Sequence, residues 1–103
     1  MTLTEFAKQL QTSGLPVAYE HFDEQDVPEM PFICYAEVGS NNFMADNKVY
    51  SPIKKVDVQL FTSRKDIEAE ERLEEALGEY SWNKECEFVD EEVCYRTIYT
   101  VEI

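Results

Sequence analysis

His21 is the only histidine in the chain, and histidine is the usual proton carrier near neutral pH. Its neighbours Tyr19 and Phe22 read as a half-buried strand, and no sequence pattern sets a nucleophile and an orienting acid beside it. Three cysteines, Cys34, Cys86 and Cys94, each sit in a strand-like run. There is no Cys-x-x-Cys pair and no Cys/His spacing for zinc, so they read as buried reduced thiols. Asp23, Asp26 and Glu29 form an acidic loop, but one without the regular ligand spacing and central glycine of a calcium loop. Paired carboxylates are frequent, as expected of a chain with 22 acidic side chains, and do not by themselves mark a site. The only glycines, Gly14, Gly39 and Gly78, are too far apart to cradle a phosphate. These residues predict no enzyme, no cofactor and no metal site.

The elements that would position them alternate in type. Thr2 with Glu5 is a capping-box pattern, and Leu3, Phe6, Ala7 and Leu10 make one apolar stripe, predicting a helix over 3–12 closed by Gly14 and Pro16. A strand over 17–22 and an acidic loop over 23–30 follow. The strand over 32–38 is apolar on both faces, with Phe32, Cys34 and Ala36 against Ile33 and Tyr35, which suits an interior strand. Residues 39–50 read as a polar loop holding Phe43, Met44 and Ala45. That tripeptide either tucks back onto the domain or waits for a neighbour.

The longest alternating run, 53–62, predicts a half-buried strand with Val56, Val58 and Leu60 inward. Next comes a helix capped at Ser63 with Asp66 as partner, its apolar arc formed by Ala69, Leu73, Ala76, Leu77 and Tyr80. Glu68, Glu71, Glu74, Glu75 and Glu79 form its acidic surface, and Glu68 is set to pair with Arg72. A hairpin of strands over 85–89 and 93–103 closes the chain. The strand-to-strand links are short enough for antiparallel pairing, apart from the crossing by the second helix. Residues 1–103 are thus predicted to be one α+β two-layer domain: a mostly antiparallel five-stranded sheet with both helices on one face, in the order α-β-β-β-α-β-β.

The formal net charge is −13, which makes free nucleic acid a poor partner. Residues 66–103 carry a net −10 and residues 51–65 a net +3, an asymmetry that suits head-to-tail self-association. No apolar run reaches the roughly 20 residues of a bilayer span, and the first residues lack the pattern of a signal peptide, so the expected location is the cytoplasm with no membrane partner.

The runs 31–50, 56–66 (followed by a Glu-rich helix) and 87–99 together resemble a family of small proteins from the structural-gene clusters of siphophages and prophages of Gram-positive bacteria. The family is similar to tail-completion proteins, also called tail terminators or head–tail joining proteins. The resemblance implies a homo-oligomeric ring, six subunits in the type, which ends the tail tube and contacts other tail and connector proteins. It places the protein in the host cytoplasm during assembly and then in the virion tail or neck. It carries no catalytic or ligand residues. The segment with Asn41, Asn42, Phe43, Met44, Asp46, Lys48 and Tyr50 is the expected subunit interface. Two other readings stand beside this one. One is an acidic DNA-mimic inhibitor of a nucleic-acid-binding protein; the other is a general phage interaction module.

Overall fold

Thr2 accepts the Glu5 N–H at 3.1 Å and so caps the first helix, α1, Leu3–Gln11. This computed structural model describes residues 2–45, 48–78 and 80–103, and for 43–45 and 49–51 it describes the backbone alone. Phe6 and Leu10 of the predicted stripe are fully buried. Thr12 caps the helix, and Gly14 takes φ 79°, a conformation suited to glycine.

The next strand, β1, is only Val17–Tyr19, because Glu20 at φ 64° turns the chain out of the extended region. His21, expected inside that strand, is an exposed loop residue. The loop 20–31 then carries the chain back, and β1 pairs in parallel with β2, Phe32–Ser40. Val17 lies opposite Ile33 and Tyr19 opposite Tyr35. This corrects the expectation of antiparallel pairing: the loop has about the dozen residues that a parallel return requires.

Residues 39–50 are not a plain loop. The chain here forms β3, Phe43–Ala45, and β4, Lys48–Ser51, which pair with each other as a two-stranded ribbon outside the main sheet. The chain re-enters the sheet as β5, Lys54–Thr62, antiparallel to β2. The second helix, α2, is Ile67–Leu77. Its N-cap is Asp66 and not Ser63, since the Asp66 carboxylate itself accepts the Ala69 N–H at 3.0 Å. It stops before Tyr80 because Gly78 takes φ 58° and directs its N–H at the Glu74 and Glu75 carbonyls. Two antiparallel strands finish the chain, β6, Trp82–Val89, and β7, Cys94–Glu102.

The main sheet has the order β1-β2-β5-β7-β6. Alternation along the strands sends Ile33, Val56, Val58, Leu60, Tyr99 and Val101 to one face, where they form a single cluster with Phe6, Leu10, Ala69, Leu73 and Leu77 of the helices. Both helices therefore cover that face, as the α+β two-layer reading requires. The opposite face carries Phe32, Cys34, Phe61 and Arg96 by register, and no helix covers it. Among the described residues no helix is long and apolar enough to cross a membrane.

Candidate subunit interface

The ribbon begins at a defect in the sheet. The β2–β5 register runs from Glu37 opposite Val56 directly to Gly39 opposite Lys55. Val38 is thus an extra residue, a bulge, and stands 55% exposed. A bulge bends its strand and ends regular pairing nearby, which is how the chain leaves the sheet. Two asparagines fix the root of the ribbon. Asn41 donates its backbone N–H to the Ile53 carbonyl at 2.9 Å and its side-chain Nδ2 to Glu102 Oε1 at 3.0 Å. Asn42 Oδ1 accepts the Ile53 N–H at 3.1 Å.

These placements divide the predicted interface residues. Asn41 and Asn42 hold the root, and Lys48 is exposed at the start of β4. Phe43 and Met44 lie on β3 and Tyr50 on β4, described by backbone only. Asp46 lies outside the described residues. The molecule is elongated, with extents of 48 × 27 × 27 Å. A nine-residue strand such as β5 spans about 30 Å, so the sheet alone falls short of the long axis. The radius of gyration, 14.7 Å, also exceeds the roughly 13 Å of a compact chain of this length.

At the other end of the sheet the loop 20–31 stands over the helix-free face. Phe22 meets Phe32 edge-on at 5.3 Å, and Phe32 stacks on Phe61 at 5.1 Å. Val27, Met30, Cys34 and Cys94 continue an apolar lining around an open groove of about 590 Å³, rimmed by Glu20, Glu29 and Glu92. Val27 is 52% exposed within it. Burial pushes the Cys34 thiol above its ordinary range, and burial followed by the nearby Glu92 does the same to Cys94.

The acidic helix is less uniform than its sequence. Glu68, Glu71 and Glu75 are exposed, and Glu79 lies outside the described residues. Glu74, counted with them from spacing, turns to the sheet instead: it accepts Lys84 Nζ at 2.9 Å and the Tyr99 hydroxyl at 2.8 Å. Glu70 is buried and is held by Lys65 at 2.8 Å and Lys84 at 3.2 Å. Burial alone would raise its pKa, but the hydrogen bonds from the two ammonium groups outweigh this and hold the carboxyl below its ordinary value. Lys65 and Lys84 are raised in turn, chiefly by their bonds to Glu70 and Glu74 respectively. Lysines held in the charged form are poor nucleophiles and bases, so the cluster acts as a clamp between α2 and the sheet. Arg72, expected to pair with Glu68, donates from Nε to the Ser13 carbonyl at 2.9 Å.

No protein-family model matches the chain, and no curated protein does. Among the described residues no group of three His, Cys, Asp or Glu side chains is placed to hold a metal ion, and Asp23, Asp26 and Glu29 are each exposed. The three cysteines are free thiols, but Cys86 is exposed, which corrects the reading of all three as buried. It lies on β6, an edge strand of the sheet. Sequence reasoning missed the groove and the clamp. The groove had a signal in the apolar residues on both faces of the 32–38 strand, which imply cover on the second face. The clamp had none, because Lys84 comes from β6 and the five-residue spacing of Lys65 and Glu70 is not a helical pairing distance.

Proposed function

We propose that this chain is a structural subunit of a phage tail, of the tail-completion kind its sequence resembles. Subunits associate head to tail into a ring that ends the tail tube and meets the head connector. The carrying observation is the β3–β4 ribbon, which leaves the main sheet at a bulge and is held at its root by Asn41 and Asn42. An arm pinned at its base and unsupported by the sheet suits contact with a neighbour, and a heterologous contact closes into a ring when its rotation permits. The exposed acid of Glu68, Glu71 and Glu75 suits a subunit beside DNA that must not stick. The ring has about six members in the type the sequence resembles, and its partners are other copies and neighbouring tail and connector proteins. No reaction is assigned to it.

The DNA-mimic reading has less support, since a mimic needs evenly spaced, free carboxylates, and Glu70 and Glu74 are turned inward onto Lys65, Lys84 and Tyr99. Negative-stain microscopy of the purified protein, alone and with tail tubes, tests the proposal. Rings alone or caps on tube ends are expected. Particles that neither ring nor bind tube ends would sink it, and tight capture of a nuclease or repressor would favour the mimic.

A further inference from the structure

We propose that the groove on the helix-free face receives the β3–β4 ribbon of a second copy of this chain. The inference rests on reading the ribbon as a subunit contact, and it names the surface that the ribbon meets. The ribbon leaves where β2 ends and β5 begins, at Ser40 opposite Lys54. The groove lies where β2 begins and β5 ends, at Phe32 opposite Phe61, with Cys94 at the start of β7. Lys54 and Phe61 are seven residues apart on one strand, about 23 Å. Knob and hole are therefore two different patches, at opposite ends of the sheet, and a head-to-tail contact between identical subunits uses two different patches.

The groove floor is apolar, built from Phe22, Val27, Met30, Phe32 and Phe61, and over half of Val27 faces solvent. The ribbon sequence supplies Phe43 and Met44, two large apolar residues of a size suited to a 590 Å³ groove. Charge agrees: the rim carries Glu20, Glu29 and Glu92, all exposed, and the segment 41–55 carries Lys48, Lys54 and Lys55 against Asp46. A small-molecule site would place convergent polar groups inside the cavity, whereas Glu20, His21, Glu29, Ser63 and Glu92 of this lining are all exposed.

Two variants test the contact. Phe43→Asp with Met44→Asp spoils the knob and leaves the groove intact. Val27→Asp with Met30→Asp spoils the groove and leaves the knob intact. Val27→Asp alone, at an exposed position, replaces the second variant where circular dichroism shows that the double change unfolds it. Sedimentation velocity is run at the concentration at which the wild type assembles. Each variant alone is expected to remain monomeric, and an equimolar mixture to give a two-chain species and nothing larger, because one good knob meets one good groove. A mixture that stays monomeric, or a variant that assembles by itself, overturns the proposal. So does a wild type that is monomeric at every concentration, although assembly on a tail tube would then still be open to the functional reading. Conversely, a two-chain mixture from a wild type that builds open filaments keeps the contact and removes the ring.

Discussion

Tyr99 gives its hydroxyl hydrogen to Glu74 across 2.8 Å, joining the middle of β7 to the inner side of α2. Tyr99 is fully buried, and its ring meets Trp82 edge-on at 5.3 Å. Lys84 Nζ lies 5.9 Å from both ring centroids and bonds Glu74 and Glu70. The helix is thus attached to the sheet by an apolar arc along one side and a charged clamp along the other. Burial, reinforced by Glu74, pushes the Tyr99 hydroxyl well above its ordinary range, so it remains a donor at any physiological pH.

Tyr99→Phe keeps the ring and removes the donor. Glu74 retains Lys84 and some access to water, so the full penalty for an orphaned buried charge does not apply. A loss of about 1.5–2 kcal/mol is expected, the lower end of the range for a hydrogen bond to a charged group. Urea unfolding with an unchanged m-value checks it. A midpoint equal to that of the wild type would mean that the hydroxyl contributes nothing.

The clamp also sets a pH dependence. The Glu70 carboxyl lies below its ordinary value of 4.5 in the folded chain. Its stabilisation is therefore present above the unfolded value and fades as pH falls through the folded one. Lys65, Lys84 and Tyr99 lie above their ordinary values. Their stabilisation is complete below the unfolded values and fades as pH rises through the folded ones. Glu70→Gln is expected to cost about 1–2 kcal/mol at neutral pH, less than for a fully buried pair because Lys65 and Lys84 are partly exposed. The gap between wild type and variant should narrow as pH falls from the unfolded value near 4.5 toward the lower folded one, because the unfolded wild type takes up the proton first. Comparing the two cancels the general effect of titrating a chain of net charge −13. A gap that stays constant down to strong acid would contradict the clamp.

Much of this was legible in the sequence where one local rule acted alone. The stripe of Phe6 and Leu10 and the alternation of Val56, Val58 and Leu60 named the core directly. The end of α2 was misplaced because Tyr80 continues the helical spacing, while Gly78 at φ 58° stops the helix first. Tyr80 still packs, edge-on to Phe6 at 5.7 Å, but from beyond the helix. The direction of β1 could not be read, since it depends on the path of the loop 20–31 and not on residue alternation. The bulge at Val38 was hidden for a similar reason: Val38 fits the apolar alternation of its strand, and only pairing with β5 shows it to be supernumerary. For the candidate interface, the sequence offered the ribbon segment as a polar loop with an apolar tripeptide. The groove depends on a loop folding over a distant strand end, and the sequence signalled only that the second face of the 32–38 strand needs cover.

The three thiols should differ in reactivity. Cys34 and Cys94 are buried and their thiols are raised by burial, which lowers the fraction of reactive thiolate. Cys86 is exposed on β6, with Lys65 Nζ at 3.7 Å and Thr97 Oγ1 at 3.7 Å. A colorimetric disulfide reagent should titrate one thiol quickly in the native protein and all three in denaturant. Cys86→Ser should remove the fast phase and leave the slow ones. A fast phase that survives this substitution would place the reactive thiol elsewhere, and would mean that the groove opens to the reagent.

Gly14 and Arg72 make the final case, because two effects of a single methyl group can be separated there. Gly14 has φ 79°, and a Cβ built on it would collide with the Arg72 guanidinium that bonds the Ser13 carbonyl. An L side chain at this φ costs about 1–2 kcal/mol, while the collision meets the far end of a flexible side chain that can swing away. Gly14→Ala should therefore destabilise mainly through its backbone. The double-mutant cycle with Arg72→Ala decides between the two. If backbone strain dominates, Gly14→Ala costs nearly the same with or without Arg72, and the coupling stays under about 0.5 kcal/mol. If displacing Arg72 from Ser13 dominates, the cost of Gly14→Ala falls sharply in the Arg72→Ala background. The first outcome is expected, since Arg72 is exposed and the far end of its flexible side chain can give way to the added methyl group.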